Sequence, residues 1–244
     1  MNLTVFQLTL RQFLGQRRSL LMFGFALVPV IIALIYRLGA HVDQQKWTAN
    51  ALLDTMIITA MLPLACLVLG TSALGSEIED GTAVYILSKP VPRRQIIAAK
   101  FAASALVASV FVVPSTVVSG LIALDGVPED GIVAGFAIAA LLGVFAYTAV
   151  FILLSLATSR ALLVGLGYVF IWEGLVTELF SGTRYLSVRQ YCLGVADLLA
   201  TVSKRDFEAN LDGVMGLMLA AAAIAAALVL ATRRLAAFEL TDTD

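Results

Sequence analysis

The chain is organised by long runs that contain no charged side chain. Ser19–Tyr36 holds 18 such residues, Thr55–Ser76 holds 22, Phe101–Leu124 24, Gly131–Ser159 29 and Gly213–Thr232 20. A helix rises about 1.5 Å per residue and needs roughly 18–20 residues to cross the hydrocarbon of a bilayer, so each run predicts a membrane span. A sixth apolar stretch, 161–180, is interrupted by Glu173 and Glu178 and is also read as a span. The expected spans are therefore about 19–36, 55–76, 101–124, 131–159, 161–180 and 213–232. The short alternating segments that build transmembrane barrels are missing, which makes the expected fold class all-α with six transmembrane helices.

Polar positions between the spans add two shorter elements. Thr4, Gln7, Arg11, Gly15 and Arg18 recur at helical spacing, with Leu3, Phe6, Leu10, Phe13 and Leu14 on the other side. This predicts an amphipathic helix over 3–18 lying in the membrane interface, the alternative being a plain extension of the first span. In the loop 181–212, Val188, Tyr191, Cys192, Val195, Leu198 and Leu199 form an apolar helical stripe too short to span. Both a re-entrant or interfacial helix and an amphipathic surface helix fit that stripe.

Composition removes the soluble alternatives. Hydrophobic residues make up 60% of the chain and charged residues 14%, with a mean hydropathy of +0.95, whereas a soluble domain carries about 25% charged residues. The net charge of -1 provides no basic field, so nucleic acid is not an expected partner. Cys66 lies in an apolar run and Cys192 in a polar-flanked one, which predicts different depths and no disulfide. With one histidine, His41, and no CxxC pattern, no metal site and no catalytic residues are expected.

Lysine and arginine set the orientation. With six spans and a cytoplasmic N-terminus, the inner segments hold Arg11, Arg17, Arg18, Lys89, Arg93, Arg94, Lys100, Arg160, Arg233 and Arg234, ten of the 16 positives. The chain is thus expected to be a multi-pass protein of the cell (plasma or inner) membrane with both termini cytoplasmic. No small-x-small site precedes His41 and basic residues follow an already helical segment, so 19–36 reads as a retained span rather than a secretory leader.

Within the spans, Glu173 is the most notable charge. It is either a pathway or gate residue, or it marks the end of its span at the outer interface beside Trp172. Gly131 and Gly135 form a GxxxG, Gly165 and Gly167 lie in the fifth span, and alanines fill 220–227; close packing inside the subunit is expected ahead of a dimer seam. Pro63 and Pro114 predict bends, and Asp54 the outer boundary of the second span.

The cytoplasmic loop 77–100 carries the densest pattern. It opens on Glu77, Glu79 and Asp80 and closes on Lys89, Arg93, Arg94 and Lys100. Ser76 with Glu79 fits a capping box, Gly81 permits a break, and Thr82–Leu87 offers a short, mostly apolar turn before Pro90 and Pro92 end it. A docking element pinned by Arg93, Arg94 and Lys100 at the lipid headgroups accounts for this pattern; an ordinary solvated loop whose basic end sets topology is the alternative.

Glu77-x-Glu79-x-Gly81-Thr82, followed by Leu87-Ser88-x-Pro90-x-x-Arg93 and then Lys100, resembles the loop joining the second and third spans in permease subunits of ABC-2 type transporters. The resemblance covers nearly the whole chain, from the N-terminal helix to the last span. It implies the ABC-2, type V exporter-like permease architecture and export across the cell membrane driven by a separate cytosolic ABC ATPase, with a second permease copy as homodimer or heterodimer partner. It further implies that Glu77, Glu79, Gly81, Thr82, Tyr85, Ser88, Pro90 and Arg93 contact or shape the ATPase interface through a coupling helix. Nucleotide and Mg belong in that partner, with no cofactor in this chain. Within the family the loop is most similar to short permeases, some of which serve metalloenzyme maturation.

A phosphate-cradling loop needs Gly-x-x-x-x-Gly-Lys-Ser/Thr, and after Gly70 and Gly75 this chain has Ser76 and Glu77 instead, whose carboxylate repels a nucleotide. The chain is accordingly not expected to be an enzyme. An intramembrane serine protease requires Gly-x-Ser-Gly with a histidine in a span, but Ser119 and Gly120 lack the leading glycine. A secondary transporter would bring inverted repeats, which are missing. A membrane anchor that recruits cytosolic proteins without transport is the remaining alternative. Apolar spans with few charges point to a lipid-like, amphipathic or peptide cargo, and a mechanical role also fits.

Overall fold

A computed structural model describes residues 3–14, 17–39, 43–79, 92–124, 131–200 and 207–237. Among these residues the chain is helical with no strand. We number the helices α1 (Leu3–Leu14), α2 (Arg17–Arg37), α3 (residues 44–79), α4 (Arg93–Ala123), α5 (Ile132–Ala157), α6 (residues 161–179), α7 (Val188–Leu199) and α8 (Gly213–Ala236). Four helical stretches are long and apolar enough to cross a membrane: Gln44–Gly75, Arg93–Ala123, Ile132–Ala157 and Gly213–Ala236. Met22–Arg37 and Ala161–Val176 are shorter apolar helices.

The helices outrun the uncharged segments that predict them. α3 begins at Gln44 rather than near residue 55, taking in Lys46 and Asp54, and α4 begins at Arg93 rather than residue 101. Backbone hydrogen bonding continues through charged side chains that reach water or a partner, so a charge does not end a helix. In the same way Pro114 sits inside α4 and Pro29 inside α2. Of the expected N-terminal helix over 3–18, residues 3–14 form α1 and residues 17–18 open α2, while residues 15 and 16 lie outside the described residues.

Two stretches depart from α geometry. Thr48–Met61 within α3 and Tyr168–Val176 within α6 are π-helical, flanked on both sides by α-helical residues in one continuous rod. Such turns are rare and cluster at functional sites.

α5 forms the centre of the bundle and touches α3, α4, α7 and α8. Its Phe136, Val144, Tyr147 and Phe151 are buried with Leu53, Ile57 and Leu62 of α3 in the principal apolar cluster. α1 lies on α4 through the buried Thr9 and Phe13. Leu74, Ile96, Ile97, Ile152, Leu156, Ala231 and Leu235 make a second, smaller cluster that ties together the neighbouring ends of α3, α4, α5 and α8. α7 does not span; it is seated between α5 and α8.

The caps are local and explicit. Ser187 caps α7, its Oγ accepting from the Gln190 N–H, and Asp212 caps α8, its carboxylate accepting from the N–H groups of Val214 and Met215. Arg233 and Arg234 close α8, where cations suit the helix dipole. Gly131 precedes α5 at φ 74, a left-handed conformation that glycine adopts without steric cost. Gly194 permits a close seat of α7: a Cβ there would stand 2.8 Å from the Leu211 carbonyl oxygen.

That contact is backbone against side chain with nothing flexible to yield, so Gly194→Val is expected to lower stability by about 1–3 kcal/mol, read as a reduced thermal midpoint in detergent. Gly24→Val is the control, because nothing lies within 4 Å of a Cβ at Gly24. Equal midpoints for the two variants would show that α7 is not seated in this way.

Candidate functional site

At one end of the bundle, both π-helical stretches hand a carboxylate to the start of α7. Glu173, 1% exposed, accepts a hydrogen bond at Oε1 from the Tyr168 hydroxyl (2.8 Å) and from the Val188 N–H (2.9 Å), and its Oε2 accepts from the Ser187 hydroxyl. Three donors meet the need of a carboxylate withdrawn from water, and the N-terminus of α7 favours a negative charge. The Trp172 Nε1–H adds a bond to the Leu186 carbonyl at 3.3 Å. Asp54 pairs with Arg189 at 3.2 Å, with side-chain exposures of 15% and 11%, and it also accepts from the Thr59 hydroxyl at 3.1 Å.

The π register makes these pairings possible. Tyr168 and Glu173 are five residues apart, as are Asp54 and Thr59. In an α-helix five residues turn the chain by about 500°, which leaves the two side chains roughly 140° apart. With i→i+5 hydrogen bonding they share a face. Asp54 therefore lies inside a helix as half of an ion pair. Glu173 faces α7 from the interior of the protein.

A second feature is a lateral groove of about 1010 Å³ walled by α2, α3, α4 and the turn from α5 into α6. Phe25, Met61, Val68, Phe111 and Leu163 are among the residues that line it. Thr71 and Ser72 also face it, but their hydroxyls donate back to the Leu67 and Val68 carbonyls, so they present little unmet polarity. Arg160, at the α5–α6 turn, is the charged residue of the lining.

The sequence-derived docking residues are only partly covered. Arg93 opens α4 behind Pro92. Glu77 and Glu79 lie in the last turns of α3, their side chains outside the described residues, as are Gly81, Thr82, Tyr85, Ser88 and Pro90 altogether. Lys100 is a clear departure from expectation. It is fully buried, and its ammonium donates to the Ala73 carbonyl of α3 instead of reaching lipid headgroups. Its place among Ile96, Ile97 and Ala99, all buried, was the available signal.

The cysteines also differ from expectation. Both are free and buried, and both lie against one turn of α5: the Cys66 thiol is 3.9 Å from the Val144 carbonyl, and a Cβ at Gly143 would stand 2.8 Å from the Cys192 sulfur. They share a depth because α7, which carries Cys192, folds back into the bundle. Asp54, Arg189, Ser187 and Tyr168 are the residues that sequence reasoning missed. Their partners are either distant in sequence or aligned only by π geometry.

Comparison with curated proteins gives no match. The model of a family described as ABC-2 family transporter protein, by contrast, matches residues 5–235. That match, together with four apolar helices of membrane-spanning length among the described residues, places the chain in the ABC-2 transporter family as its membrane-embedded component and not as its ATPase.

Proposed function

We propose that this chain is the permease subunit of an ATP-driven exporter in the cell membrane, with six spans, both termini cytoplasmic, and a second permease copy and two cytosolic ATPase subunits as partners. The four long apolar helices together with Met22–Arg37 and Ala161–Val176 supply the six spans of this reading. Loop 77–100 is the coupling element, in which Glu77, Glu79, Gly81, Thr82, Tyr85, Ser88, Pro90 and Arg93 form or shape the ATPase contact. ATP and Mg act in the partner.

The observation that carries the transport half is the lateral groove. It runs between the first, second, third and fifth spans of the proposed order, it is mostly apolar, and it borders Arg160 near the proposed cytoplasmic side. A wall of this kind suits a lipid-like, amphipathic or peptide cargo moving between two membrane halves. ATP binding would close the ATPase subunits, push the coupling loop and tilt the spans that frame the groove. Glu173 and α7 then act at the outer end. Release of α7 from Glu173 is the gating step, because Glu173 and the Trp172 bond to the Leu186 carbonyl are what hold α6 to the start of α7, while Phe170, Ile171, Leu175 and Leu179 are exposed.

Two outcomes test this reading. Glu79→Arg is expected to leave membrane insertion intact while the amount of co-purifying ATPase falls tenfold or more; wild-type recovery of the complex would remove the docking assignment. Glu173→Ala leaves three donors without their acceptor, a loss of about 1–3 kcal/mol for the latch. Hydrogen exchange at residues 188–192 should then accelerate about tenfold, since about 1.4 kcal/mol corresponds to that factor. Unchanged exchange would mean that Glu173 does not hold the outer helix.

A further inference from the structure

The Tyr147 hydroxyl is unfavourable where it stands. Tyr147 is fully buried in α5, and its hydroxyl has no hydrogen-bond partner among the described residues. A buried donor without an acceptor is penalised by its lost hydration, so phenylalanine would fill the same space at lower cost. The surroundings of the hydroxyl are not indifferent to it. Glu173, Tyr168, Cys192 and Cys66 all lie close enough to interact electrostatically with it.

Two independent sets of contacts bring Tyr147 to the level of Glu173. The first is the packing of α7, which runs antiparallel to α5: a Cβ at Gly135 would meet the Ala196 carbonyl and Leu199, and one at Gly143 would meet the Cys192 sulfur. Four residues further along α5 and four back along α7, about one turn of each, Tyr147 comes opposite Val188, whose N–H donates to Glu173. The second is a chain of rings. Tyr147 stacks on Phe151 with centroids 5.8 Å apart, Phe151 stands edge-on to Tyr168 at 6.3 Å, and Tyr168 donates to Glu173. These ring contacts join α5 to α6 without involving α7.

Two of the three donors on Glu173 stand at the start of α7, the Ser187 hydroxyl and the Val188 N–H. Release of α7 removes both and leaves a buried carboxylate with Tyr168 alone, a state too unfavourable to visit unless another donor arrives. We propose that Tyr147 is that donor: its hydroxyl, unpaired while α7 is docked, donates to the Glu173 carboxylate when α7 leaves, and so sets how often α7 opens. The inference rests on the reading of Glu173 as the latch of α7. In this device one carboxylate exchanges the donors of α7 for a donor of α5, and close-packed interiors favour such discrete alternatives over gradual deformation. A hydroxyl that is unpaired in the docked state and paired in the released state narrows the gap between the two.

Hydrogen exchange at residues 188–192 of the full chain in lipid nanodiscs tests this. Tyr147→Phe is expected to slow that exchange about tenfold, the scale of one hydrogen bond to a charged group. Its thermal midpoint should equal or exceed that of wild type, because no bond of the docked state is lost. In the Glu173→Ala background, where exchange is already fast, the same substitution should change it by less than about twofold, since the two side chains act as a pair. Exchange in Tyr147→Phe as fast as in wild type, or a lowered midpoint, overturns the proposal. So does a tenfold slowing that persists in Glu173→Ala, which would make the acceptor another group, such as the unpaired Gln190 Oε1 of α7. If Glu173→Ala alone leaves exchange unchanged, the latch reading falls and this proposal with it; if Glu173→Ala accelerates exchange and Tyr147→Phe has no effect, the proposal alone falls.

Discussion

A carboxylate as deeply buried as that of Glu173 is tolerable only where donors converge on it, and this end of the bundle is arranged around that requirement. Hydrocarbon supplies no hydrogen bonds, so each polar group taken below the membrane surface must find its partner within the chain. Tyr168, Ser187 and the Val188 N–H meet this need for Glu173, and Arg189 meets it for Asp54. Each pairing fixes the start of α7. The π-helical stretches follow from the same demand, because only i→i+5 geometry brings Tyr168 beside Glu173 and Thr59 beside Asp54 on one helix face. The cost of irregular helix geometry is offset by the bonds it allows.

The same constraint acts at the other end of the bundle in a different form. The Lys100 ammonium donates to the Ala73 carbonyl of α3 beside the second apolar cluster. Polar ties thus sit at both ends of the molecule, joining α6 and α3 to α7 at one end and α3 to α4 at the other. Beside the lateral groove the Ser115 hydroxyl donates to the Ala26 carbonyl, joining α4 to α2, while Thr71 and Ser72 of its lining bond back to their own helix. In the proposed function motion enters at the end that carries loop 77–100, and it comes from an ATPase.

The family and the helical class were legible in the sequence for physical reasons. Uncharged runs of bilayer length have few other uses, and the pattern from Glu77 to Arg93 combines acids, a Gly-Thr pair and a Ser-x-Pro turn at fixed spacing. The helix ends were less legible, because a charge such as Asp54 or Arg93 can lie within a helix as easily as beyond it. The π-helical stretches have no local signature; they arise from packing across the bundle. Asp54 and Arg189 are 135 residues apart, a pairing that no periodicity announces. Lys100 misled for a related reason, since the flexible stem that lets a lysine reach headgroups also lets it reach across to a neighbouring helix.

The central claim is that the loop between α3 and α4 receives force from a separate ATP-hydrolysing protein. The most direct measurement is photo-crosslinking in native membranes from a benzophenone amino acid placed at Tyr85. The account calls for a single dominant adduct with a nucleotide-binding ATPase subunit, its yield changing when ATP is trapped. Adducts with lipid alone, or with proteins that bind no nucleotide, in membranes where the chain is fully inserted, would contradict it.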